Sequence, residues 1–188
     1  SSLKILSEKI LNFYCNYLNA HLGLFYIVED DNLKLSSSWG VAEDNKTIRK
    51  KISRGDGLIG QVFKSVEPII IEDITNNDVP EVDFGNESKK PNNNIYYPII
   101  HENEIVAVLA LGLFTKSDDM LMEFITHSVK DVAFTLVTLQ SHTKVKELLK
   151  RTQDQANELE VQQEELRQTN EELQEHTNAL KISEENLQ

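Results

Sequence analysis

Leucines at 159, 166, 173, 180 and 187 recur every seven residues. This period constrains the fold more than any other feature, because a seven-residue apolar repeat suits an α-helix that supercoils about a partner. No Pro or Gly occurs after Gly112, so a helix starting near Asp118 meets no local reason to stop. With the leucines at d, Ala156, Gln163, Asn170, Thr177 and Glu184 occupy a. The expected dimer seam is Leu149, Ala156, Leu159, Gln163, Leu166, Asn170, Leu173, Thr177, Leu180 and Leu187. Polar a residues weaken a seam but favour two parallel strands, Asn most clearly. Glu184 would face its own copy and repel it. The expectation is a parallel homodimer of modest strength.

Ahead of the stripe lies a different composition. The hydrophobic share of 39% is diluted by a tail of Glu, Gln, Asn, Lys, Thr and Leu from Thr143 onward, which divides the chain into a globular domain over 1–142 and a coiled-coil helix over 143–188. The net charge is −12. Acids outnumber bases on both sides of His142, which argues against nucleic acid or anionic lipid as the main partner. Arg49, Lys50, Lys51 and Arg54 are the exception, a solvated loop or strand edge, or else a dock for an acidic neighbour. One cysteine, Cys15, leaves no intrachain disulfide and no cysteine-rich metal site. Its apolar neighbours on a helix read as a buried thiol. The longest apolar run, Ile105 to Phe114, is too short to span a bilayer. No signal peptide is visible, so the expected location is cytoplasmic, without direct membrane contact by this piece and with an inner-membrane anchor elsewhere in a longer parent left open.

The remaining pattern is α+β. Leu3 to about His21 has helical spacing, with Gly23 ending the helix. Leu24–Val28 and Leu33–Trp39 flank Glu29-Asp30-Asp31-Asn32 as a β-hairpin. Gly55-Asp56-Gly57 turns into a short apolar helix, Leu58 to Phe63, whose glycines imply close backbone approach. Pro68 to Ile71 reads as a buried strand, and Asp73 to Asn93 as a long loop of the kind that often covers a binding site. Asn94–Ile100 and Ile105–Phe114 form a second hairpin about His101-Glu102-Asn103-Glu104. Helix, hairpin, short helix, strand, hairpin and long helix give an antiparallel sheet with helices packed on it. The first and last helices should share one face and leave the other to the short helix and long loop.

Gly55-Asp56-Gly57-Leu58-Ile59-Gly60-Gln61-Val62, Pro68-Ile69-Ile70-Ile71-Glu72-Asp73-Ile74, and Tyr97-Pro98-Ile99-Ile100 leading into Ile105-Val106-Ala107-Val108-Leu109-Ala110-Leu111 together resemble the GAF domain family. The opening Ser7-Glu8-Lys9-Ile10-Leu11, Tyr17-Leu18-Asn19-Ala20 and Gly23-Leu24-Phe25-Tyr26 resembles the GAF domain of bacterial hybrid sensor histidine kinases. Leu148-Leu149, Gln162-Gln163-Glu164-Glu165-Leu166 and Thr169-Asn170-Glu171-Glu172-Leu173 are similar to the coiled-coil connector that follows it there. The resemblance implies a sensory and signal-transmission region of a two-component phosphorelay protein, with a kinase core downstream. No phosphate-cradling glycine loop and no phosphoacceptor histidine motif occurs in the chain, so it should have no catalysis of its own. The alternatives are a ligand-free GAF dimerisation spacer, or a regulatory GAF of a cyclic nucleotide or cyclic dinucleotide enzyme.

The resemblance also implies a small-molecule pocket between sheet and covering loop, lined by Trp39, Phe63, Ile70, Ile74, Tyr96, Pro98 and the loop from Thr75 to Asn93. Known GAF chemistries can be set against the residues. Phe114-Thr115-Lys116-Ser117-Asp118-Asp119 lacks most of the Asn-Lys-Phe-Asp-Glu set of cyclic-nucleotide binders. Cys15, followed by Asn16, does not suit a bilin, and one thiol is too few for methionine sulfoxide reduction. His101 falls in an expected turn, away from a haem pocket. His127, His142 and His176 have no second ligand three or four residues away, so no metal is expected. The sequence requires no cofactor and specifies no ligand.

Overall fold

The computed structural model describes residues 2–41, 45–73, 80–85 and 87–185, the side chains of residues 83 and 180–185 excepted. The contacts divide the chain into two units, Ser1–Gln140 and Ser141–Gln188.

In the first unit, helix α1 (Ser2–Tyr17) buries Ile10, Leu11, Tyr14 and Cys15 along one stripe. It ends before Asn19, which takes a positive φ, and the expected stop at Gly23 is corrected. Gly23 lies inside strand β1 (Leu22–Glu29), where a Cβ would come 2.5 Å from Cys15 Sγ and 2.8 Å from Leu11 Cδ1. The glycine lets the helix lie close on the strand. β1 pairs antiparallel with β2 (Asn32–Trp39) through Asp30 and Asp31, both at positive φ, the type I′ geometry that matches strand twist.

After β3 (Lys51–Ile52) comes helix α2 (Gly57–Ser65). A Cβ on Gly60 would meet the Ser53 carbonyl oxygen and the Gly55 backbone, so close backbone approach holds there, whereas Gly57 has open space around it and a φ of +66°. β4 (Ile69–Ile71) is an edge strand, not the buried strand its run of isoleucines suggests. The long connection holds a small hairpin of its own, β5 (Val82–Asp83) with β6 (Ser88–Lys89), that the sequence reading did not anticipate. β7 (Asn93–His101) and β8 (Glu104–Leu113) form the second hairpin, again with two positive-φ turn residues, Glu102 and Asn103. Helix α3 (Asp119–Glu185) follows, and the Asp118 carboxylate accepts from Leu121 N at 2.7 Å as its N-cap.

The sheet order is β3-β2-β1-β8-β7-β4. One face carries Phe25, Ile27, Ile95, Ile99, Leu109 and Leu111 against α1 and against Ile125, Val129, Ala133 and Leu136 of α3. Tyr14 Oη and Ser128 Oγ, 2.8 Å apart, tie the two helices, and Tyr97 Oη and Thr126 Oγ1 tie the sheet to α3. The other face carries Leu24, Tyr26, Leu33, Val108 and Ala110 with Val62 and Phe63 of α2. As expected, the first and last helices share one face and the short helix takes the other; of the long loop, Val82 and Phe84 stand beside Cys15 and Trp39 instead, and residues 74–79 lie outside the described residues.

In the second unit, Leu149, Leu159, Leu166 and Leu173 are each at least 59% exposed in the single chain. Arg167 bonds Glu164 and Glu171 along the helix. Leu180 has no described side chain, and Leu187 lies outside the described residues. Among the described residues, no helix is long and apolar enough to cross a membrane.

Candidate functional site

The face opposite α1 and α3 is not filled by side chains. A cavity of about 830 Å³ opens there between β1, β8 and β7 and the start of α2, within the range of small-molecule sites. Its floor follows from strand alternation. Leu24 and Tyr26 come from β1, Ala110 from β8, Asn94 and Tyr96 from β7, and Ile71 from β4. Ala110 pairs in register with both Leu24 and Tyr96, so a short side chain between two large ones leaves the floor recessed. Ile48, Ile52 and Ile59 form an apolar wall.

The polar groups are unevenly partnered. Tyr26 Oη donates to Arg49 O at 2.9 Å, and burial pushes its hydroxyl up to about 12 against the opposing pull of Arg49. Burial also raises Tyr96. Arg49 reaches Asp56 at 2.5 Å. Lys116 bridges Glu72 at 3.4 Å and Asp73 at 2.9 Å, and these two carboxylates hold its ammonium above the ordinary lysine range. The neighbouring asparagines differ. Asn93 accepts from Asp73 N and donates to Asn92 Oδ1, while Asn94, only 2% exposed, has a buried Nδ2 without a partner among the described residues.

Of the residues expected to line the pocket, Tyr96 lines this cavity. Trp39 stands on the opposite face beside Cys15, His21 and Phe84, around a second hollow of about 460 Å³. The cause is a bulge: Phe25 pairs with Ser37 and Tyr26 with Leu35, so the extra residue Ser36 turns Ser37 and Trp39 over. Phe63 is fully buried among Val62 and Val108 rather than facing the cavity. Pro98, opposite Val108, is buried farther along β7. Ile70 pairs with Ile95 and turns away from Ile69 and Ile71, 43% exposed. Ile74 and most of the covering loop's first half, 75–79, lie outside the described residues. Asn94, Arg49 and Asp56 were missed by the sequence reading. Only the parity of Asn94 with Tyr96 on one strand signals its position.

The basic run is spread over local partners. Lys51 sits in the edge strand β3, and Arg54 pairs with Asp31, donates to Phe63 O and lies 4.0 Å above the Phe63 ring. Cys15 is buried, and desolvation pushes its thiol up to about 12. No group of three or more His, Cys, Asp or Glu side chains suited to a metal occurs among the described residues.

The architecture, an antiparallel sheet with helices on both faces and a cavity between the sheet and the short helix, is of the α+β class. Residues 1–137 match the GAF domain family, and the chain belongs to that family. No curated protein matches it. Among solved structures, it is similar to the GAF domain from a phosphoenolpyruvate-protein phosphotransferase of Coxiella burnetii, with TM-score 0.60 and 17% identity over 74% of this chain and 84% of that one. It is also similar to the second GAF domain of DevS from Mycobacterium smegmatis, with TM-score 0.58 and 13% identity over 76% and 99%. A third is the type II free methionine-R-sulfoxide reductase from Thermoplasma acidophilum, with TM-score 0.55 and 17% identity over 72% and 95%.

Proposed function

We propose that this chain is the sensory and dimerisation region of a two-component, hybrid sensor histidine kinase, with a cavity that takes a small molecule and a parallel coiled coil that relays the signal to a downstream kinase core. The observation carrying this reading is that α3 serves two purposes along its length. Ile125, Val129, Ala133 and Leu136 wall the sheet, and Leu159, Leu166 and Leu173 repeat at heptad spacing with their side chains in water. Burying a leucine contributes roughly 1.5–3 kcal/mol, so a second copy is the natural cover for the stripe. The polar a positions Asn170 and Thr177 keep alternative seam arrangements close in energy, and a ligand biases them by its difference in affinity for each. The fragment itself performs no catalysis. Its one thiol is buried and held protonated, unlike the exposed, low-pKa thiolates of redox enzymes.

A ligand-free spacer is the second reading. It draws on the exposed rings of Phe13 and Tyr17, with Tyr17 stacked 4.4 Å from Phe124, which offer a pairing surface needing no ligand.

Sedimentation of the chain should give a dimer, and Leu166→Asp with Leu173→Asp should give a monomer. In the parent kinase, Asn170→Ile with Thr177→Ile should lock the seam and flatten the signal response. A monomeric parent chain, or a locked seam with an unchanged response, counts against the relay.

A further inference from the structure

We infer that the second hollow, the one beside Trp39, takes a free quaternary methylammonium compound of the choline kind. It lies on the face of the sheet away from the cavity read as the sensory pocket, so its failure leaves that reading standing.

Three observations carry the inference. The first is the wall. The hollow of about 460 Å³ is bordered by the rings of Trp39, His21 and Phe84, over a buried base of Cys15, Ala20 and Val82. Phe84 is 44% exposed, and Trp39 and His21 are half-buried, so each keeps open surface. His21 and Phe84 lie 6.0 Å apart, and both pack on Phe114, at 4.9 and 6.0 Å. Trp39 adds a further wall from the end of β2. The faces of such rings carry the negative part of a quadrupole and attract cations, above all quaternary ammonium groups.

The second is the end of α1. Asn16 and Asn19 line the hollow, and the helix closes beside it, with Leu18 N donating to Tyr14 O, Ala20 N donating to Cys15 O, and Asn19 at φ +53°. The C-terminus of a helix carries partial negative charge, and no basic residue stands in the last turn of α1 to offset it.

The third is the choice among ions. None of the described residues lining the hollow is Lys, Arg, Asp or Glu, in a chain that is 27% charged with a net charge of −12. An anion would meet a helix C-terminus with no cation to hold it. A primary ammonium is strongly hydrated and brings three donors, with no carboxylate in the lining to receive them. A quaternary ammonium has no N–H to satisfy, and its methyl groups suit both the rings and the apolar base.

Trp39 is the chain's one tryptophan, so the emission of the whole protein reports directly on the hollow. The test titrates choline, 3,3-dimethylbutan-1-ol, which has the same shape without the charge, and ethanolamine, which has the charge without the methyls. It is run at about pH 8, above the ordinary imidazole range, and repeated by ligand-observed NMR of the methyl or methylene signals. Choline should bind saturably and at least roughly tenfold more tightly than either comparison compound. Phe84→Leu, which keeps an apolar side chain but removes a ring, should weaken choline about fivefold or more, and Asn16→Lys, at an exposed position, should abolish its binding. Both variants should keep the parent melting temperature. Vesicles of phosphatidylcholine, which present the same group beside a phosphate, should leave the emission unchanged. The neutral alcohol binding as tightly would overturn the role of charge, and ethanolamine binding as tightly would overturn the methylated class. A vesicle response equal to that of choline would overturn a free ligand in favour of a lipid head group. No saturable choline binding by either readout, or full affinity in both variants, would overturn the site.

Discussion

Replacing Gly60 with alanine tests whether α2, and with it one wall of the cavity, is held by backbone contact. A Cβ there would sit about 1 Å inside the 3.4 Å at which ordinary contact with the Ser53 carbonyl oxygen begins, and 3.2 Å from both N and C of Gly55. Neither side can retreat cheaply. Gly55 N is bonded to Gly60 O at 2.6 Å, Asp56 N to Ser53 O at 3.1 Å, and Gly60 N to Asp56 O at 3.2 Å, so moving the helix breaks the turn that starts it. Overpacking of this kind costs about 1–3 kcal/mol and sometimes more, and with three coupled hydrogen bonds the upper end, about 3 kcal/mol, is expected. For a domain of this size that lowers Tm by roughly 10 °C. Gly57→Ala is the control, because its Cβ meets nothing within 4 Å and only its φ of +66° opposes a side chain, a cost of about 1–2 kcal/mol. Thermal unfolding by circular dichroism, with urea titration to check the slope, compares the two. A Gly60→Ala variant no less stable than Gly57→Ala would refute the argument from contact.

Val66 closes α2 in the left-handed region at φ +62°, which a β-branched side chain adopts with strain. Val66→Gly should raise stability by about 0.5–1 kcal/mol in urea titration, and Val66→Ala should not. Cys15 has a second signature. Its pKa is raised above the ordinary thiol value of 9.0 to about 12 by burial, so the folded state binds the proton more tightly than the unfolded one. The resulting stability is complete below about pH 9 and is lost as pH rises towards about 12, by an amount on the order of 4 kcal/mol. Unfolding measured across that range should show a shallower alkaline decline in Cys15→Ala than in the parent, and equal slopes would count against the burial account.

The hairpins and the two-sided core were legible because local chemistry and burial agree in them. Asp30-Asp31 and Glu102-Asn103 sit between alternating strands, and the α3 residues from Ile125 to Leu136 repeat with helical period on the sheet. The cavity was less legible, for three physical reasons. A bulge at Ser36 changes the parity of β2 without any mark in composition, which moves Trp39 to the other face. A run of three isoleucines hides that β4 is an edge, so Ile70 reads as buried when its neighbours alone face inward. Asn94 reads as the first residue of its strand, but an amide next to a polar loop gives no sign that it lines the cavity with Tyr96.

The sheet ends in strands of two residues, Lys51–Ile52, and three, Ile69–Ile71. Margins that short expose few open peptide groups to a neighbouring backbone. Growth of the sheet from one molecule into the next is thereby discouraged at both borders.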